Sequence, residues 1–203
     1  MARPLSPKLS PAIIAKAALD AVDHDGEFTI QGIAKKLKVS ASSLYNHIGS
    51  KADVVELMRG RVMSRMDLST VNSSSADWAG TLHAIALEYR NAYALNPRLL
   101  PLVTAYSVRD ETTIAMYNLM AEALQSAGFA SQRQLEIITV IDNFVLGSAL
   151  DAGAPADVWA PGDLAGAALQ SALDAGFGDP DRAMKSFSFG LGLILAGLKH
   201  ESL

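Results

Sequence analysis

A chain of 203 residues, half of them hydrophobic and 19% charged, is long enough to bury a substantial core, as one domain or as a small domain joined to a larger one. Zero cysteines exclude disulfides and thiolate metal ligands and fit a reducing cytoplasm. The net charge of −4 is unevenly spread: residues 1–66 hold ten Lys and Arg against six Asp and Glu, a balance of +4, while the remainder holds seven against fifteen, a balance of −8. A basic head on an acidic body suits one part that meets a polyanion and another that is held off it.

Met1 to Lys8 has no apolar core, and the most apolar run, Phe187 to Leu198, is shorter than the ~20 residues that cross a bilayer, so neither a targeting segment nor a membrane span is expected. Leu9-Ser10-Pro11 announces a first helix carrying Ile14, Ala17, Ala18 and Val22 inward until Asp25-Gly26 stops it. Thr29 is placed to cap a second helix through Leu37, with Ile30, Ile33, Ala34 and Leu37 on one stripe. Ser40 is placed to cap a third through His47. There Leu44 and Ile48 form the inner face, Ser42 and Asn46 point outward, and Ser43, Tyr45 and His47 lie on the flanks. No acid occurs between Glu27 and Asp53, whereas Lys35, Lys36, Lys38 and Lys51 do. A short helix that buries two residues and shows hydroxyls, an amide, an imidazole and a phenol suits base edges and phosphates in a major groove. The pattern reads as a helix-turn-helix.

The stretch TIQGIAKKLKVSASSLYNHIGSKADVVELM resembles the DNA-binding module of the TetR family of transcriptional repressors, through Ala34 in the first helix, the Lys38-Val39 turn, Leu44-Tyr45-Asn46-His47, and Lys51. The resemblance implies backbone contacts from Tyr45, His47 and Lys51, base reading by Ala41, Ser42 and Ser43, and a DNA face that also includes Thr29, Gln31 and Asn46. The chain departs from that family at the turn, where Lys38 stands in place of the usual Gly. A left-handed residue there costs roughly 1 kcal/mol. Ala41 offers no hydrogen bond, so its reading is apolar, as to a thymine methyl.

Ser50-Lys51-Ala52-Asp53 reads as a capping box opening a fourth helix, with Val54, Val55, Met58 and Val62 on one side and Arg59, Arg61 and Arg65 solvated. The serine-rich stretch from Asp67 to Asp77 marks a boundary between a DNA-binding domain, 1–66, and a larger helical ligand-binding and dimerisation domain, 67–203. Beyond it helices are expected at Trp78–Tyr93, Leu99–Val108, Asp110–Ala127, Ser131–Asp151 from a capping serine, Asp163–Ala175 and Asp181–His200, with no sheet. The helices 131–151 and 181–200 are apolar on more than one side, which leaves two readings: burial within one chain, or a twofold interface eased by the small residues Gly147, Ser148, Gly190 and Gly197. The family resemblance implies the second, a homodimer.

The four histidines, His24, His47, His83 and His200, lack a partner at metal or triad spacing, and no nucleophile-elbow, Walker or dinucleotide pattern occurs, so no catalytic role, metal or cofactor is expected. The expected fold is all-α. The expected function is a cytoplasmic repressor that binds a palindromic operator in double-stranded DNA and leaves it when a largely apolar small-molecule effector enters the larger domain. His83, Tyr93, Tyr106, Met116, Met120 and Asn143 are the candidate effector contacts. Two alternatives stand beside it: an all-helical enzyme or carrier with no DNA role, and a DNA-binding regulator that needs no effector.

Overall fold

The computed structural model describes residues 9–71, 77–155, 158–176 and 179–201; the serine run expected to mark the domain boundary lies mostly outside them. The helices are α1 (Pro11–Asp25), α2 (Ile30–Leu37), α3 (Ala41–Tyr45), α4 (Lys51–Met63), α5 (Trp78–Ala94), α6 (Leu100–Val103), α7 (Glu111–Ser126), α8 (Ser131–Asp151), α9 (Ala167–Gly176) and α10 (Arg182–Glu201). No strand occurs among the described residues.

Local chemistry sets the head. Ser10 Oγ accepts from Ile13 N, with Pro11 in the first turn, and Gly26 closes α1 in the left-handed region at φ +80°. Thr29 Oγ1 accepts from Gly32 N at 2.9 Å, Ser40 Oγ from Ser43 N at 3.1 Å, and Ser50 Oγ from Asp53 N at 3.2 Å, so the three polar caps begin α2, α3 and α4 as their sequence predicts. The box at α4 differs in one detail: Asp53 Oδ2 accepts from Gly49 N rather than from the capping serine's own amide. Lys38 is the one non-glycine residue at positive φ, 56°, among the described residues, so the turn keeps the geometry that glycine would supply.

The body is arranged around α5, which packs against α4, α7, α8 and α10. Its Leu82, Ile85, Ala86, Tyr89 and Tyr93 are all buried, and one continuous core runs from Ile14 in the head to Leu195 in α10. Head and body therefore share hydrophobic contact rather than a polar linker, with α4 the common wall.

Besides starting α9 at Ala167 rather than Asp163, the structure corrects four readings outside α3. Arg59, expected in solvent, is 3% exposed; its Nε donates to Glu56 Oε1 at 2.8 Å and its Nη2 to the carbonyls of Val103 (2.8 Å) and Tyr106 (3.2 Å). That capture explains the second correction, the shortening of the 99–108 helix to Leu100–Val103: carbonyls satisfied by a guanidinium need no following helical turn. Third, α8 begins at Ser131 itself, capped by Ala130 without a side-chain hydrogen bond. Fourth, Gly190 does not face outward. A Cβ there would lie 2.7 Å from the Phe144 ring, so its small size serves the crossing of α8 and α10 within the chain.

Burial of both helices within one chain is excluded. Helix α8 buries Ile137, Ile141, Val145 and Ala149 but exposes Val140 (54%) and Leu150; α10 buries Phe187, Leu191 and Leu195 but exposes Phe189 (70%) and Leu193 (59%). A Cβ at Gly147 or Gly197 would meet nothing within 4 Å.

Candidate nucleic-acid interface and effector region

Helix α3 is held by two inner anchors, Leu44 and Ile48, buried beneath it, with Val39 half-buried alongside. The helix ends at Tyr45, two residues earlier than its pattern predicts; Asn46 and His47 continue as a turn in which the His47 and Ile48 amides both donate to Leu44 O. Thr29, Gln31, Ser42, Tyr45, Asn46, His47 and Lys51 are exposed, and Ala41 and Ser43 are half-exposed. Ser40 Oγ lies 2.8 Å from Ser42 Oγ and 2.7 Å from Ser43 Oγ, so the two hydroxyls expected to face bases are linked through the capping hydroxyl.

Charge around this surface is uneven. Lys36 and Lys16 both pair with Asp20 at 3.1 Å, while no carboxylate pairs with Lys35, Lys38 or Lys51 among the described residues. Lys51 Nζ stands 5.0 Å from the Phe28 ring centroid, which orients it without neutralising it. The nearest acid in sequence, Asp53, is matched by Arg109 Nη2 at 2.8 Å, and that hydrogen bond together with the Gly49 amide holds its carboxyl below the usual carboxylate range. The face is thus open to a polyanion.

Two sets of polar bonds fasten this head to the body. Glu56 Oε2 accepts from the amides of Arg109 (2.7 Å) and Asp110 (2.9 Å), and with Arg59 ties α4 to the 103–110 segment. At the other end, Arg98 Nη1 donates to the carbonyls of Asp23 and His24 at the end of α1, and Asn96 bridges Asp23 Oδ2 and Arg65 Nη1, each at 2.6 Å. None of these partners was legible as such, because each joins residues far apart in sequence.

The six candidate effector residues fall in different surroundings. Tyr93, Met116 and Met120 are core, Tyr106 is half-buried and gives its carbonyl to Arg59, His83 is exposed on α5, and Asn143 is exposed beside Gly147 in a groove between α8 and α10. His83 points away from the helical interior because the buried stripe of α5 runs through Leu82, Ile85 and Tyr89, one residue out of its register. The Tyr93 hydroxyl is wholly buried and has no hydrogen-bond partner among the described residues, although it stands in the field of Arg59; burial raises that phenol well above its ordinary pKa.

The polar group that the sequence reading missed is Asp142, half-buried on α8. Its Oδ1 accepts from Tyr89 Oη at 2.9 Å and Tyr117 Oη at 2.6 Å. The signal was present: Asp142 is the one charged residue between Glu136 and Asp151, inside an otherwise apolar run, and a charge kept there has a structural or binding reason.

The chain is similar to known proteins in sequence and in fold. The family model described as "Tetracyclin repressor-like, C-terminal domain" matches residues 72–202. The chain is 27% identical over 144 residues to an HTH-type transcriptional regulator of Saccharopolyspora erythraea, matching 70% of this chain but only 60% of that regulator's length. It is 25% identical over 199 residues to the class G tetracycline repressor protein of Vibrio anguillarum, covering 95% of this chain and 94% of that one. Its fold is similar to that of the Streptomyces coelicolor TetR family protein ActR, solved in complex with actinorhodin, with a TM-score of 0.74, 17% identity and coverage of 97% and 99%. With its helix-turn-helix head and a body that matches the family model throughout, this chain belongs to the tetracycline-repressor-like family of regulators.

Proposed function

We propose that the chain is a dimeric DNA-binding repressor whose head, 1–66, grips an operator and whose body, 67–203, releases it when a largely apolar effector binds among the helices. The observation that carries this reading is the outer face of α3: polar, free of acids, backed by buried Leu44 and Ile48, and flanked by Lys35, Lys38 and Lys51, which have no carboxylate partner among the described residues. Ala41, Ser42 and Ser43 read bases; Thr29, Gln31, Tyr45, Asn46, His47 and Lys51 hold the backbone. The names of the relatives, a transcriptional regulator and a tetracycline repressor, support the same role. The exposed Phe189 and Leu193 of α10 with Val140 and Leu150 of α8 support pairing with a second copy, and a twofold dimer sets the recognition helices ~34 to 36 Å apart, one turn of DNA. The two polar fastenings of head to body support effector control, since a ligand that prefers one arrangement of α5 to α7 shifts the head with it. No helix among the described residues is long and apolar enough to cross a membrane, and the reading is of a cytoplasmic protein without catalysis.

Selection of duplex fragments by the purified protein, followed by a mobility-shift assay across a salt series, tests this. Enrichment of a palindrome, with affinity falling steeply with salt, is the expected result; equal retention of selected and random duplexes excludes an operator-specific repressor.

A further inference from the structure

Between α7 and α8 lies a pocket of about 260 Å³ lined by Tyr117, Leu135, Ile138, Thr139 and Asp142. Leucine and isoleucine supply its apolar wall, Tyr117 an aromatic one, and the sole charge in the lining is the Asp142 carboxylate. Both phenols that touch this carboxylate meet the same oxygen, Oδ1, and among the described residues none donates to Oδ2 or places a lysine or arginine against the group. Burial, with Asp142 itself a smaller contributor, raises the pKa of Tyr89 and Tyr117, so both phenols keep their protons and act as donors. Arg59 of α4, whose field reaches Tyr117, is already matched by Glu56 at 2.8 Å and by two backbone carbonyls, and Arg90 of α5 gives its Nε to Ser148 Oγ. A half-buried carboxylate without a cation runs against the general pairing of such charges. A divalent metal is a poor match for it: among the described residues no cluster of three or more metal-ligating side chains exists, and hard cations want six or more oxygens.

We infer that this pocket is where the effector binds, and that the effector is an organic ammonium, a protonated amine or quaternary nitrogen on an apolar or aromatic body. The inference deepens the repressor reading and rests on it only for the word effector. The two tyrosines fix the carboxylate's rotamer and leave Oδ2 as the acceptor or counter-charge for the ammonium, while Leu135, Ile138 and Tyr117 cover the apolar part. Because Tyr89 is on α5 and stacks edge-on against Tyr93, 5.5 Å between centroids, a ligand pulling on Asp142 acts on the helix that carries the head's supporting wall.

The test measures binding of three probes to the whole chain by ligand-observed NMR: phenethyltrimethylammonium, its neutral carbon isostere bearing a tert-butyl group, and 3-phenylpropionate. The ammonium is expected to bind about tenfold or more tightly than the isostere, which shares its shape, and the carboxylate least of all. Asp142→Asn removes the charge and Thr139→Lys, at an exposed position one turn earlier, supplies a tethered ammonium; each is expected to abolish the preference. Equal binding of ammonium and isostere overturns the assignment, as does a preference that survives both substitutions. Duplex binding is measured on the same preparations: its absence sinks the repressor reading alone, whereas duplex binding without ammonium preference sinks the Asp142 site alone.

Discussion

The outer face of α3 and the outer faces of α8 and α10 are both left uncovered by the chain, and their chemistry is opposite. On and just beyond α3 the exposed groups are hydroxyls, an amide, an imidazole and a phenol beside lysines that, Lys36 apart, have no carboxylate partner among the described residues. On α8 and α10 they are Val140, Leu150, Phe189 and Leu193. An exposed polar helix can remain in water at no cost, so its meaning comes from charge and spacing; an exposed apolar stripe on two adjacent helices is unfavourable in water, so its meaning comes from composition alone. On the proposed reading the first face meets a hydrated polyanion and the second a copy of the chain. The two should therefore fail independently when mutated.

The largest expected effect belongs to neither face but to the joint between the regions that carry them. Arg59→Ala breaks a buried, hydrogen-bonded ion pair and orphans two carbonyls, and should lower unfolding free energy by about 3 to 5 kcal/mol in urea titrations. A loss under 1 kcal/mol shows that the joint is not held as described. Next come the two glycine-and-phenylalanine neighbours on α10. Phe189→Asp places a charge in the apolar stripe and should yield monomer by sedimentation while the helical content is retained. Gly190→Leu collides with Phe144 and should cost about 1 to 3 kcal/mol of chain stability, whatever its effect on assembly. If the two variants behave alike, the separation of inner from outer α10 face is wrong.

On the polar face the expected effects are smaller. Lys51→Ala should weaken binding to all duplexes alike and reduce the salt slope by about one unit per half-site, whereas Tyr45→Phe should cost roughly 0.5 to 3 kcal/mol of operator binding. An unchanged slope for Lys51→Ala removes that lysine from the phosphate contacts. Smallest of all, Lys38→Gly relieves the left-handed backbone at φ 56° and should raise stability by up to about 1 kcal/mol, seen as a small rise in melting temperature, while weakening DNA binding through the lost charge.

What could be read in advance follows the range of the interactions. Ser10, Thr29, Ser40 and Ser50 each accept from an amide three residues on, and Leu44 and Ile48, four residues apart, anchor α3 from within it and just beyond its end, so the caps and inner anchors of the head are legible in the sequence. Excess apolar residues announced a second face on α8 and α10, but which glycine served which face depended on Phe144, 46 positions from Gly190 in the numbering. The pattern of α4 leaves Arg59 on the solvent side because it shows only which side of its own helix a residue occupies; the carbonyls that draw Arg59 inward belong to a segment more than forty residues on. The role of Asp142 is hidden in the sequence for the same reason, since its two phenols come from α5 and α7. Residue type marks candidate effector contacts but does not fix direction, as exposed His83 illustrates.

The serine cluster on α3 has a consequence for how much information an operator must contain. Ser40 Oγ accepts from Ser43 N, which leaves it one lone pair and one proton for the hydroxyls of Ser42 and Ser43. One of them must therefore give its proton to Ser40 and the other receive one. The giver offers DNA only lone pairs, whereas the receiver keeps its proton and one lone pair, and a concerted rotation of three hydroxyls exchanges the parts. A base edge that donates and one that accepts are then met equally well at adjacent positions, so this pair of serines tolerates an exchange of adenine and guanine patterns that a fixed amide or guanidinium would reject. The half-site should show a degenerate position opposite Ser42 and Ser43 beside sharper ones elsewhere.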